Sequence, residues 1–206
     1  MNILVVAAHP DDEVLGCGGT IARLIEEGHR ITICIMCMRG LGEQCRQVQE
    51  VLDAKGLFMY EMPDQQFDTV SLTVLIQIIE SAIRACDPDA VYTHHTGDLN
   101  LDHAITARAV LTATRPKPGC LVKDVYMFEV PSSTEWGFNY QFKPNVFVDI
   151  TDTFEKKLEA MRVYESEMRY PPHPRSPAAI EALAMYRGST IGVLKAEAFE
   201  LVRSIR

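Results

Sequence analysis

Basic residues are scarce beside acidic ones. The 206-residue chain has 20 Lys and Arg against 28 Asp and Glu, a formal net charge of −8. That balance excludes the broad Lys/Arg surface on which non-specific nucleic-acid binding and anionic-membrane binding rest, so neither partner is expected. A bilayer-spanning run is also missing. The longest strongly apolar stretch, residues 31–38, is strand-sized and far short of the ~20 residues a span needs. The opening MNILVV has no basic region and no small-residue cleavage site, so a cytoplasmic location is expected. A disulfide framework is absent too. Cys17, Cys34, Cys37, Cys45, Cys86 and Cys120 are scattered through a chain large enough to bury a core without staples. Cys34 and Cys37 have CxxC spacing, but ITICIMC reads as a buried strand, where residues three apart point to opposite faces. Core thiols are the better reading.

What is present is an ordinary globular composition, 47% hydrophobic and 23% charged, consistent with one domain over residues 1–206. Strand-like apolar runs alternate with helix-like stretches. Strands are expected at 3–8, 31–38, 57–61, 90–93, 125–130 and 145–149. Helices are expected at 20–27, 42–55, 71–86, 102–114, 153–168 and 178–185. This alternation predicts an α/β fold with a mostly parallel sheet, right-handed crossovers and helices on both faces. Ligands in such sheets bind beyond the carboxyl ends of the strands. His9 to Glu13 and the pair His94–His95 both sit there. The Pro-rich segment RYPPHPRS, residues 169–176, reads as a surface loop between the last two helices.

The stretch His9-Pro10-Asp11-Asp12-Glu13 crowds three carboxylates and an imidazole beside a buried strand. Such carboxylates repel, and desolvation raises the cost. A divalent cation removes the problem, and histidine with carboxylate suits zinc, with three protein ligands and an open position in a catalytic site. Pro10 turns the chain out of the strand, which can aim His9 and Asp12 at one point. Asp11, left free beside the metal, then has the place of a general base. In THHTGDLNLDHAITARAV, His103 opens the next helix and is the choice for third ligand, with His94 and His95 as competitors that alternate across a strand end. Asp102 is either a helix N-cap or a partner that orients a neighbouring side chain. A capped, solvated helix start explains an Asp-Asp-Glu run equally well on local grounds. Gly16, Gly18 and Gly19 fit a dinucleotide-binding pattern poorly, because Ile21 stands where a third glycine is required. They read instead as sites of close helix packing.

AHPDDE after a first strand, then Gly-Gly-Thr and a distal Asp-His, resembles the LmbE-like or PIG-L family of zinc-dependent de-N-acetylases. The resemblance extends to Pro63-Asp64, GDLNLDH, EVPSS at 129–133, VDITDTFEKKLEAM at 148–161, Arg187-Gly188 and AEAF at 196–199. It implies a Rossmann-like α/β fold and one zinc ion per chain held by His9, Asp12 and His103, with Asp11 as general base. It also implies hydrolysis of the N-acetyl group of an amino sugar, a small-molecule N-acetylated sugar as partner, and a closed homo-oligomer, trimer or hexamer. One departure stands out. Many members carry His-x-Asp-His around the third ligand, the first His steadying the developing oxyanion. Here that position is Asn100, an amide that can donate to an oxyanion but carries no charge, so Asn100, His95 or His173 is expected to take the role. Arg39 and Arg46 are candidates for a phosphate or carboxylate on the substrate, and Trp136 and Tyr140 for stacking on a sugar. Two rivals remain: a metal-dependent hydratase or lyase on the same scaffold, and a non-catalytic sugar- or nucleotide-binding domain.

Overall fold

A computed structural model describes residues 1–120, 122–138 and 141–206. Seven strands form one mixed sheet: β1 (Asn2–Ala7), β2 (Arg30–Ile35), β3 (Gly56–Met59), β4 (Ala90–His94), β5 (Asp124–Phe128), β6 (Val146–Asp149) and β7 (Ala196–Arg203). Their order is β3-β2-β1-β4-β5-β7-β6. The first five pair in parallel, and β7 runs antiparallel to both β5 and β6. The helices are α1 (Asp12–Glu26), α2 (Gly42–Leu52), α3 (Leu72–Cys86), α4 (Leu101–Ala113), α5 (Phe154–Val163) and α6 (Pro177–Ser189). None is long and apolar enough to cross a membrane.

The period-2 alternation of β1 explains the two-layered core. Ile3, Val5 and Ala7 pack with residues of α1, α2, α5 and α6 on one face. Leu4, Val6 and Ala8 pack with residues of α3 and α4 on the other. β1 is also where strand order reverses: β2 follows on one side and β4 lies on the other. The crevice beyond the carboxyl ends of β1 and β4 is therefore the expected ligand position of an open α/β sheet, and His9 and His94–His95 lie there.

The expected fold class holds, with three local corrections. AEAFELVR, for which the sequence pattern predicts no strand, forms β7, inserted antiparallel between β5 and the edge strand β6. β2 stops at Ile35, so Cys37 leaves the strand and packs in the same apolar cluster as Cys34; both thiols are free. α1 starts at Asp12, eight residues before the periodic stretch at Thr20, because its first turns are glycine-rich rather than apolar-periodic. The helix breaks at Cys17 (φ −150°, ψ 22°). In an unbroken helix the Leu15 carbonyl would accept from the Gly19 N–H. Here Lys157 Nζ donates to Leu15 O at 2.8 Å, and Gly19 N–H and Thr20 N–H donate to Glu197 at 3.1 and 2.7 Å. Lys157 and Glu197 pair at 2.5 Å in the interior, so one buried ion pair re-satisfies the break.

The glycines of α1 are packing sites, as the sequence suggested. A methyl on Gly16 would overlap the Phe128 ring, and one on Gly19 would lie 2.9 Å from three Ile150 carbons. Alanine gains about 1 kcal/mol of helix propensity over glycine, whereas overpacking a filled core costs about 1–3 kcal/mol or more. Overlap with a rigid ring puts the cost at the high end, so Gly16→Ala should lower the denaturant midpoint by the equivalent of about 1–2 kcal/mol net. An unchanged or raised midpoint would show that α1 is free to move off the sheet.

Candidate metal centre and catalytic cleft

The three carboxylates after β1 point three ways. Asp11 is the N-cap residue of α1 with a left-handed backbone (φ 94°). Its carbonyl accepts the Val14 and Leu15 N–H groups, and its side chain makes no cap bond. The carboxylate is thereby left to face a cavity of about 240 Å³. Asp12 turns toward the histidines. Glu13 enters the core, where the Tyr164 hydroxyl donates to it at 2.7 Å; burial is the main reason its pKa rises to about 8.

His9 Nδ1, Asp12 Oδ2 and His103 Nε2 converge. The two ring nitrogens are 3.4 Å apart, and they lie 3.4 and 3.2 Å from Asp12 Oδ2. Each imidazole is held from behind by a carboxylate. His9 Nε2 lies 3.0 Å from Asp102 Oδ2, and His103 Nδ1 lies 3.2 Å from Asp98 Oδ2. Asp102 in turn accepts the Phe67 N–H at 3.0 Å. Asp98 accepts from Thr134 Oγ1 at 2.6 Å and from Ser133 Oγ. With their outer nitrogens donating to Asp102 and Asp98, both neutral rings aim lone pairs at each other and at an anionic oxygen. Only positive charge between them makes that arrangement tolerable. A tetrahedral zinc ion with bonds of about 2.0–2.2 Å sets its ligands about 3.3–3.6 Å apart, and the observed triangle fits. The carboxylate behind each ring is the support that metal-binding histidines ordinarily have.

Without a cation the same charge is drawn in as protons. Burial disfavours charged His9, but its bonds to Asp102 and Asp12 outweigh that and lift its pKa to about 9. Burial likewise opposes charge on His103, yet Asp12 and Asp98 raise it to about 10. Asp12 is held well below the usual carboxylate range: burial acts against this, and the histidines overcome it. Asp11 moves the other way, to about 7, chiefly because it is buried and then because of Asp12, with Arg175 opposing.

The cavity wall is formed by His9, Asp11, Asp12, Asn100 and His103 together with Arg39, Gln65, Leu99, Val130, Ser132, Ser133, Trp136 and Arg175. Asn100 is the N-cap of α4: its side-chain oxygen accepts from Asp102 N at 2.9 Å and His103 N at 3.4 Å. The cap fixes the amide so that its NH2 is the group left for other partners. Asp102 is therefore the orienting partner of His9 and not the cap. His94 stacks on His103 at 4.1 Å between ring centroids, and its Nε2 accepts the Ala8 N–H at 2.8 Å. That bond occupies the lone pair, and burial drops its pKa to about 3, so His94 buttresses the site as a neutral ring.

Three sequence candidates do not reach the cavity. His95 points to the other side of the strand end, against Phe142 and 3.5 Å from Glu200. Arg46 lies on the exposed side of α2 beside Glu43. His173 turns back into its own loop, where its Nδ1 accepts the Arg175 N–H at 3.1 Å. Two residues on, Arg175 does reach the site and donates to Asp11 Oδ2 at 2.9 Å. Trp136 and Arg39 line the cavity. Tyr140 lies outside the described residues.

Comparison with known proteins accords with this geometry. The family model described as PIG-L: GlcNAc-PI de-N-acetylase matches residues 4–114. The uncharacterized deacetylase YaiS of Escherichia coli (strain K12) is 29% identical over 179 residues, covering 80% of this chain and 91% of that protein. The diacetylchitobiose deacetylase of Thermococcus kodakarensis is 25% identical over 232 residues, covering 99% of this chain and 84% of that one. The solved 4-carboxy-2-hydroxymuconate hydratase of Pseudomonas putida KT2440 has a TM-score of 0.80 at 22% identity, covering 100% of this chain and 97% of that chain, a likeness of fold. The family match spans more than half of the 206 residues, from β1 through α4, and contains His9, Asp11, Asp12 and His103: the chain belongs to the PIG-L family.

Proposed function

We propose that this protein is a zinc-dependent hydrolase that removes the acetyl group from an N-acetylated amino sugar, releasing acetate and a free amine. The observation that carries the proposal is the triangle of His9 Nδ1, Asp12 Oδ2 and His103 Nε2 with the Asp11 carboxylate beside it on one cavity wall. Zinc held by His9, Asp12 and His103, one ion per chain, supplies Lewis acidity toward a carbonyl and lowers the pKa of water from 15.7 toward ~7. Asp11 takes the proton of the attacking water. Its burial gives a carboxylate basic enough for that task, and Arg175 keeps it oriented. The Asn100 NH2 donates to the developing oxyanion as a preorganised neutral dipole. Asp11, now protonated, delivers that proton to the leaving nitrogen as the C–N bond breaks. The cavity is smaller than the ~300–1,000 Å³ of sites for drug-sized ligands. It suits one sugar ring with its acetamido group, the remainder of the conjugate lying outside past Leu99 and Trp136.

Acetate release should be measured across N-acetylated sugars and sugar conjugates, with and without a chelator. Chelator-sensitive release is expected. No acetate from any of them, with zinc bound, would move the reading to the hydratase or lyase alternative. Asp11→Asn should keep stoichiometric zinc and lose turnover by roughly 10²–10⁴-fold, the worth of a general base; near-normal turnover would remove Asp11 from that role. His103→Ala should lose zinc, and a variant retaining it would remove His103 as ligand.

A second test follows from the imidazoles. Their folded-state pKa values, about 9 and about 10, lie above the 6.5 of an ordinary histidine. The stability they contribute to the metal-free protein is fully present below about 6.5 and is lost as pH rises through 9 to 10. Chelated protein should therefore melt progressively lower over that window relative to zinc-loaded protein. Parallel curves would show that protons and metal do not compete for these rings.

A further inference from the structure

Arg39 and Arg175 reach the same cavity wall from distant segments and share one carboxylate. Arg39 Nη2 lies 3.4 Å from Glu167 Oε1, and Arg175 Nη1 lies 3.2 Å from Glu167 Oε2. Arg175 is also paired with Asp11. Arg39 is poorly served. Its other acceptor, the Pro10 carbonyl, is again 3.4 Å away, beyond the usual 2.7–3.2 Å range. The Nε groups of both arginines are buried with no hydrogen-bond partner. The Arg39 side chain is only 23% exposed, and among the described residues it makes no short hydrogen bond. Glu167, Asp11, Asp64 and Asp12 lie close enough to keep the cation charged against its burial, yet among the described residues none meets it with a short, paired hydrogen bond, so its fork is open to an acceptor from outside. The backbone is bent to put it there. Arg39 has a left-handed φ of 47° and Gly40 follows at 73°, a turn that a bulky residue adopts only under constraint. A guanidinium suits carboxylate and phosphate because its planar fork matches their oxygens in pairs.

We propose that Arg39 and Arg175 form an oxyanion-recognition wall in the cleft, with Glu167 holding the two guanidiniums in place, and that the substrate carries a carboxylate or phosphate close to its N-acetylated sugar. This deepens the deacetylase reading and rests on it for the sugar, though not for the anion. Arg39 is the residue that separates the two, because Arg175 also touches Asp11.

The test compares zinc-loaded wild type with Arg39→Asn, which tolerates the left-handed turn, and Arg39→Lys, which keeps charge and loses the fork. Acetate release is followed from N-acetylglucosamine, its 1- and 6-phosphates, and the corresponding N-acetylated uronic acid. Wild type should favour a charged substrate through KM. Arg39→Asn should reduce the charged-to-neutral ratio of kcat/KM by roughly ten- to a hundredfold, the worth of a charge-assisted hydrogen bond, with Arg39→Lys intermediate. The phosphate and uronate arms distinguish the two sources of the anion. An equal loss on charged and neutral sugars would overturn the proposal and make Arg39 a contact to sugar hydroxyls. No loss on either would overturn it as well. Calorimetric titration with inorganic phosphate and with succinate gives a readout independent of turnover. Binding weakened in Arg39→Asn supports the wall, and equal binding in both proteins assigns the anion to the metal alone and overturns it. Arg39-dependent anion binding without acetate from any sugar would leave the wall standing and sink the deacetylase reading.

Discussion

One carboxylate oxygen organises this cleft. Asp12 Oδ2 accepts the His9 N–H at 2.9 Å and lies 3.4, 3.2 and 3.5 Å from His9 Nδ1, His103 Nε2 and His94 Nε2. An anion with three imidazoles around it, almost out of contact with water, demands a definite charge state from each ring. The outer carboxylates answer that demand. Asp102 takes one nitrogen of His9 and Asp98 one of His103, while the Ala8 N–H takes the lone pair of His94 and keeps that ring neutral. The rings are thus sorted into two that turn a second nitrogen to the centre, protonated while no cation is there, and one that stays neutral. The sorting is done by hydrogen bonds already made before any ion arrives.

The fold makes this sorting possible by bringing β1 and β4 side by side where the strand order reverses. Positioning Asp12 needs more, because α1 must begin directly after β1 and still pack flat on the sheet. Glycines at 16 and 19 allow the close approach to Phe128 and Ile150. The helix breaks at Cys17, and Lys157 with Glu197 re-satisfies the Leu15 carbonyl and the Gly19 and Thr20 amides. A buried ion pair is weak evidence for net stability on its own. Here each charge also satisfies backbone groups that the break would otherwise leave bare in the core, so the pair serves the position of the first turn of α1, and through it Asp12.

The parts of this arrangement legible in the sequence are those encoded locally or by strand order. β1 to β4 have clear apolar runs, and the rim position of His9 and His103 follows from topology. Asn100 is legible as an uncharged donor, but not as the cap of α4, a place that the sequence offers equally to Asp102; its capping bonds are what fix its amide. What could not be read depends on contacts between distant segments. Arg175 lies 164 residues from Asp11, in a loop whose prolines announce only irregular backbone. His173 is the candidate there, as a histidine that could stand in for the one absent at position 100, yet the local Nδ1 bond to Arg175 N–H spends it within the loop. β7 was missed because AEAFELVR pairs antiparallel at the edge of the run of parallel strands, and because Glu197 within it is a buried charge that breaks the apolar pattern.

Backbone strain marks two parts of the cleft, the turn at Asp11 and the turn at Arg39. Asp11, Arg39, Gln65 and Ser132 all have positive φ and all line the cavity. The other described non-glycine residues in that region, Asp53 and Asp87, end helices, where such geometry is routine. Each left-handed residue away from a helix C-terminus costs on the order of 1 kcal/mol, so the cleft concentrates strain that packing elsewhere must offset. At Asp11 the strained turn releases a carboxylate from capping and turns it to the cleft, which any water-activating member of the fold would need. At Arg39 it aims a cation for which the chain itself supplies no short acceptor. The proposed reaction accounts for the first. The proposed anionic group on the substrate accounts for the second.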